Sequence, residues 1–120
     1  MQIQERTLDF AVRILRFADK LPKSTAGMIL AKQLIRSGTS IGANMEEADG
    51  ASSKNDFINK VTIARKEARE TVYWLQLIKK AELVHHKDNL LQLDDLINEA
   101  GEIKRVLSAI IIKAREKKGY

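Results

Sequence analysis

QLIRSGTSIGANMEEADG, residues 33–50, gathers Ser37, Gly38, Thr39, Ser40, Gly42, Ala43 and Asn44 in a chain otherwise rich in helix formers. Such a run suits a loop, a phosphate-binding turn, or a helix with a small-residue face. Hydrophobic spacing separates the three. Gly27, Ala31, Leu34, Gly38, Ile41, Met45 and Ala48 recur at alternating steps of four and three, the period of one helix face. The seam passes through the small residues without losing phase, which a loop would not hold. A dinucleotide or P-loop turn needs a strand before its glycines, and the P-loop needs Lys-Ser/Thr after them. Here helix precedes, and Met45-Glu46-Glu47 follows. The spacing predicts one helix over 25–49, capped by Ser24 or Thr25 and stopping near Gly50. Gly38 and Gly42 each cost about 1 kcal/mol relative to Ala in a helix. That cost predicts another helix, or another subunit, packed against their bare backbone; the plainer alternative is a local kink with no partner. Ser37, Ser40 and Asn44 lie on adjoining faces, placed to hydrogen-bond across the contact, with Ile41 in the seam.

The same step recurs on both sides. Ile3, Thr7, Phe10, Ile14, Phe17 and Leu21 form a first seam, widened by Leu8, Ala11, Leu15 and Ala18. This predicts a helix over 3–20 that ends before Pro22. Ser53 with Asp56 three residues on resembles a capping box and opens a helix over 53–83. Its seam is Phe57, Val61, Ala64, Ala68, Thr71, Leu75 and Ile78. His85-His86-Lys87-Asp88 reads as a turn, with Asp88 as the N-cap of a helix over 88–116. That helix has the seam Leu93, Leu96, Ala100, Ile103, Leu107, Ile110 and Ala114. It is acidic early (Asp94, Asp95, Glu99, Glu102) and basic late (Lys113, Arg115, Lys117, Lys118), a polarity that suits the helix dipole. Four helices joined by short turns predict an all-α, antiparallel up-down-up-down four-helix bundle.

Composition narrows function. At 120 residues one domain is expected. No Cys is present, which excludes disulfides, thiolate metal sites and cysteine nucleophiles. The first ten residues do not read as a signal peptide, and no run approaches about 18 uninterrupted apolar residues. A soluble, cytoplasmic protein is expected. His85 and His86, the two histidines, sit side by side in a turn, so no helix supplies the Glu-x-x-His pairs of a di-metal bundle, and no Ser-His-Asp set can form. The expectation is no enzyme activity, no metal and no cofactor.

Charge points elsewhere. The net charge is +5, and residues 51–86 carry seven Lys/Arg against four Asp/Glu. Lys54, Lys60, Arg65, Lys66 and Arg69 make the third helix the most basic segment, and Arg36 on the second can join them. Cations spaced along a helix follow phosphates. The plainer reading is a solvated face with pairs such as Lys66 to Glu70, four residues apart. Tyr73 and Trp74, being adjacent, face different ways: one is expected in the core, the other as an exposed anchor at a subunit contact, where aromatics are enriched. One exposed ring can stack a base, although a stacking platform uses more exposed rings than this. A membrane-surface helix is disfavoured, because each apolar face is already needed by the bundle.

QLIRSGTSIGANMEEA and DFINKVTIARKEARETVYWLQLI, together with AVRIL in the first helix and LP before the second, resemble the bacterial four-helix-bundle family named for intervening sequences in 23S ribosomal RNA genes, also called the S23 ribosomal protein family. The resemblance covers nearly the whole chain. It implies a homo-oligomer, a five-subunit ring in known examples, with no established enzymatic activity. A related branch of similar fold, the accessory protein of diversity-generating retroelements, uses a basic ring to bind reverse transcriptase and RNA. The matching positions are Arg36, Ser37, Ser40, Ile41, Asn44, Glu46, Phe57, Ala64, Glu67, Glu70, Thr71, Trp74 and Leu75, most of them expected in bundle or subunit packing. Two partner classes follow: RNA or DNA held by the basic residues, or a protein held by an oligomeric adaptor.

Overall fold

The computed structural model describes residues 2–117 and consists of four helices: α1 (Ile3–Ala18), α2 (Thr25–Asp49), α3 (Lys54–Lys80) and α4 (Lys87–Glu116). Lys118 of the basic terminal run lies outside the described residues. No strand occurs among the described residues. Cross-helix contacts give the topology. Gln4 meets Asp49 while Thr7 meets Gly42 and Ile14 meets Gly38, so α2 runs back along α1. Lys54 meets Lys117, Arg65 meets Ser108 and Lys79 meets Asp94, so α4 runs back along α3. Each helix packs on its chain neighbours, and α1 also closes on α4. The product is an antiparallel bundle 53 Å long and 21 Å wide.

The small-residue run is helix throughout, and α1 is the element that approaches it. A Cβ on Gly38 would stand 2.8 Å from Ile14 Cγ2; one on Gly42 would stand 3.3 Å from Thr7 Oγ1. Ser37 bonds across the bundle, its Oγ accepting from Thr71 Oγ1 at 2.9 Å with both residues fully buried. Ser40 and Asn44 differ from expectation. Ser40 Oγ donates to the Arg36 carbonyl at 2.7 Å and Asn44 Nδ2 to the Ser40 carbonyl at 2.8 Å, so both satisfy their own helix.

The seams place the core almost residue for residue: Phe10, Ile14, Leu34, Ile41, Leu75, Ile103 and Leu107 are fully buried. Two details differ. Leu8 and Leu15 do not widen the buried stripe of α1; they are 66% and 45% exposed. On α4, Ile111 is fully buried, whereas Ile110 packs at the edge of the core.

The helix ends also correct the sequence reading. Ser24 Oγ and Ser53 Oγ accept from Gly27 N and Asp56 N, the N-caps expected there. α1 stops at Ala18, before the predicted 20. α3 stops at Lys80 rather than 83, because Leu83 N donates to Ile78 O and Glu82 N to Lys79 O. This is a Schellman closure, with Glu82 in the left-handed region at φ 55. Asp88 is not the cap of α4. His86 is, its Nδ1 accepting from Asp88 N at 3.4 Å, and Asp88 lies in the first turn.

One ion-pair cluster ties the first helix to the last. Arg6 Nε and Nη2 donate to the two Glu99 oxygens at 2.7 Å each, and Nη2 also reaches Glu102 at 2.8 Å. Hydrogen bonds from Arg6 hold the Glu99 carboxyl below the usual carboxylate range, and the pairing raises Arg6 further above its own ordinary value. The depressed Glu99 value means that the unfolded chain binds more protons in acid. The pair's stability is therefore present above the ordinary glutamate range and lost as pH falls through the folded-state value. Arg6→Ala is expected to cost about 1–2 kcal/mol at neutral pH. The loss should shrink as the pH drops below about 4, the ordinary glutamate value. Urea melts of both proteins across that range check this.

Candidate nucleic-acid interface

The segment ARKEARE, residues 64–70, is two-sided once it is helical. Glu67 and Glu70, three apart, face α2. Arg65 and Arg69, four apart, face α4 and line a groove between α3 and α4 of about 440 Å³. Thr62 and Lys66 from α3, and Lys104 and Ser108 from α4, complete its lining. Four cations and two hydroxyls therefore converge with no carboxylate among the lining residues. Arg65 Nη1 donates to Ser108 Oγ at 3.5 Å, which draws the guanidinium across the groove.

Arg36 does not join these cations. It pairs with Glu67 at 3.1 Å and with Glu70, and Trp74 Nε1 donates to the same Glu70 at 3.3 Å. The pair expected between Lys66 and Glu70 is absent among the described residues, since Glu70 turns to Arg36. Arg36 thus withdraws both carboxylates of the segment from the basic side. No described carboxylate lies within salt-bridge distance of Arg65, Lys66, Arg69 or Lys104.

The other expected residues are dispersed. Lys60 is half-buried and does not line the groove. Lys54 lies at the far end of the bundle, where its Nζ donates to the Lys117 carbonyl. There it borders a separate apolar cleft of about 410 Å³ with Phe57, Ile110 and Lys113. Trp74 is half-buried and Tyr73 is 58% exposed, which resolves the aromatic pair.

Sequence reasoning missed the α4 side. Lys104 follows the seam residue Ile103, and with Arg105 it lines a second groove segment of about 590 Å³ along Val72, Gln76 and Gly101. Glu102 in that segment is engaged by Arg6. Projecting Lys104 and Arg105 onto the α4 wheel beside the α3 contact would have found them. Among the described residues, no group of three His, Cys, Asp or Glu could hold a metal ion, and no helix is long and apolar enough to cross a membrane.

The family model described as 23S rRNA-intervening sequence protein matches residues 1–109. The chain belongs to that family. A crystal structure of a protein of unknown function from the S23 ribosomal protein family, from Bacteroides thetaiotaomicron, is similar at 42% identity. The match covers 92% of this chain and 98% of that one, with a TM-score of 0.81. No curated protein matches. In this member of the 23S rRNA-intervening sequence protein family, the α3–α4 groove is the most concentrated positive site among the described cavities, and its cations come from two helices that the bundle core fixes in place.

Proposed function

We propose that this is a non-enzymatic, homo-oligomeric, RNA-associated protein of the cytoplasm, and that the α3–α4 groove holds RNA phosphates. The observation that carries this reading is the carboxylate-free lining of Arg65, Lys66, Arg69, Lys104, Thr62 and Ser108. Guanidinium, ammonium and hydroxyl groups are the side chains that contact phosphate oxygens. Titrating labelled structured RNA and duplex DNA with the purified protein tests it. Saturable RNA binding that weakens with salt is expected; no binding at low salt would remove the reading.

Self-association rests on the opposite face. Leu8, Val12 and Leu15 form an exposed stripe beside a groove of about 360 Å³ floored by Ala11, Thr39, Gly42 and Ala43. Small residues admit a helix closely, and the occupant we assign is a second copy of this chain. Because α1–α2 lies across the bundle from α3–α4, assembly there leaves the basic groove open. A ring of five, as the family resemblance implies, would repeat the groove five times and multiply its avidity. Leu8→Lys with Leu15→Lys should lower the mass seen by light scattering to that of the monomer, without loss of helix. An unchanged mass would remove α1 from the interface. The same stripe carries a second reading, an oligomeric adaptor for a protein partner, in which RNA affinity stays at background.

A further inference from the structure

One turn beyond Arg69, an exposed ring, Tyr73, stands outside the lining of the groove. On the outer face of α3, Lys66, Arg69 and Tyr73 are all exposed, and their spacing of three and four places them in one stripe. Along the axis Arg69 lies about 6 Å from Tyr73, and Lys66 about 10 Å, at 1.5 Å per residue. Tyr73 is the exposed aromatic among the large apolar residues of the described chain that water reaches. Its ring is nevertheless not loose. It packs edge-to-face on Trp74, with centroids 5.2 Å apart and planes at 70°. Trp74 in turn is anchored through Nε1 to Glu70, which Arg36 holds. A buttressed ring loses little side-chain freedom when something stacks on it.

We propose that the groove's ligand is an unpaired RNA strand, with the phosphates along Arg65, Lys66, Arg69 and Lys104 and one base stacked on Tyr73. This rests on the phosphate reading above and names the state of the nucleic acid. A base inside a duplex already has both faces covered. The major groove of A-form RNA is too deep and narrow for side chains to read its bases. A ring standing on the exposed outer face of a helix therefore meets only a base that has left its stack. Cations that track the backbone beside an aromatic platform are the recurring arrangement for single strands, and it tolerates any sequence because every base has a π-face. Arg69, one turn from the ring, also suits a guanidinium contact to the stacked base.

The test uses a labelled oligouridylate and a blunt RNA duplex of matched length at one salt concentration. The wild type is expected to prefer the single strand. Tyr73→Ala should weaken oligouridylate binding about tenfold and leave duplex binding unchanged, while Tyr73→Phe, which keeps the ring, should bind as the wild type does. Trp74 is the one tryptophan of the chain, so its fluorescence should respond to oligouridylate and not to duplex. Tyr73 is exposed, and equal melting temperatures confirm that its variants fold. Equal oligouridylate affinity in Tyr73→Ala and wild type would overturn the stacking proposal. If Lys66→Glu with Arg69→Glu still abolished binding in that case, the phosphate reading would stand alone. Binding of neither probe by the wild type would overturn both.

Discussion

Gly38→Leu is expected to destabilise the protein by about 3 kcal/mol, lowering its melting temperature by roughly 10 °C. Position 38 faces Ile14, which is fully buried, and a Cβ alone would already stand 2.8 Å from its Cγ2. The longer side chain must push α1 away from α2 or force Ile14 off its rotamer. Both responses open the core around Phe10 and Leu34. Helix propensity acts the other way, favouring most residues over Gly by about 0.5–1 kcal/mol, so packing has to exceed it. Gly101 supplies the contrast. The nearest atom to a Cβ there is Arg105 Nη1 at 3.6 Å, the end of a flexible side chain. Gly101→Ala should therefore stabilise by about 0.5–1 kcal/mol. Thermal or urea melts of both variants check the pair. Two stabilising shifts would show that propensity, not helix approach, governs these glycines.

The opposite behaviour of two helical glycines marks the limit of sequence reading. Period identified all four helices, because the steps of four and three persist through Gly38, Ala64 and Ala100 as well as through Leu and Ile. Ser24 and Ser53 announced two starts, since a Ser before an apolar-periodic run caps by a local mechanism. The stop at Lys80 stayed hidden because Glu82 occupies the left-handed position where Gly is usual. His86 concealed the other boundary, for a ring nitrogen did the work expected of the Asp88 carboxylate. Leu8 and Leu15 were misplaced for a different reason. Periodicity gives the direction of a stripe but not how much of its width the neighbours cover, and α1 touches only α2 and α4.

The candidate site was half legible. Arg65, Lys66 and Arg69 were visible as a basic run, and their common direction follows from helical geometry. Arg36 was not separable from them, because its pairing with Glu67 and Glu70 depends on how α2 docks. Lys104 and Arg105 belong to a helix whose charges read locally as a dipole match. Only the α3–α4 packing brings Lys104 to Arg65 and Arg69.

Reversing Arg69 and Lys104 together should produce the largest functional loss. Each cation is placed to neutralise a phosphate, and each replacement by Glu both removes that neutralisation and sets a negative charge in the groove. RNA affinity is expected to fall at least about a hundredfold at moderate salt, as two attractions to phosphate give way to repulsion. General charge must be separated from place. Lys32 and Lys80 are exposed and line none of the described cavities, so Lys32→Glu with Lys80→Glu changes net charge equally. That control should lose only a few-fold, through the weaker long-range field. An intact oligomer in both variants, read by light scattering, excludes disassembly as the cause.

The salt dependence of structured-RNA binding by these three proteins is the most direct measurement. The slope of log affinity against log salt counts phosphates neutralised. The wild type and the Lys32/Lys80 control should share one steep slope, and the Arg69/Lys104 variant should be shallower by about one for each phosphate it no longer neutralises. Equal slopes in all three proteins would contradict an α3–α4 phosphate site and leave only diffuse charge.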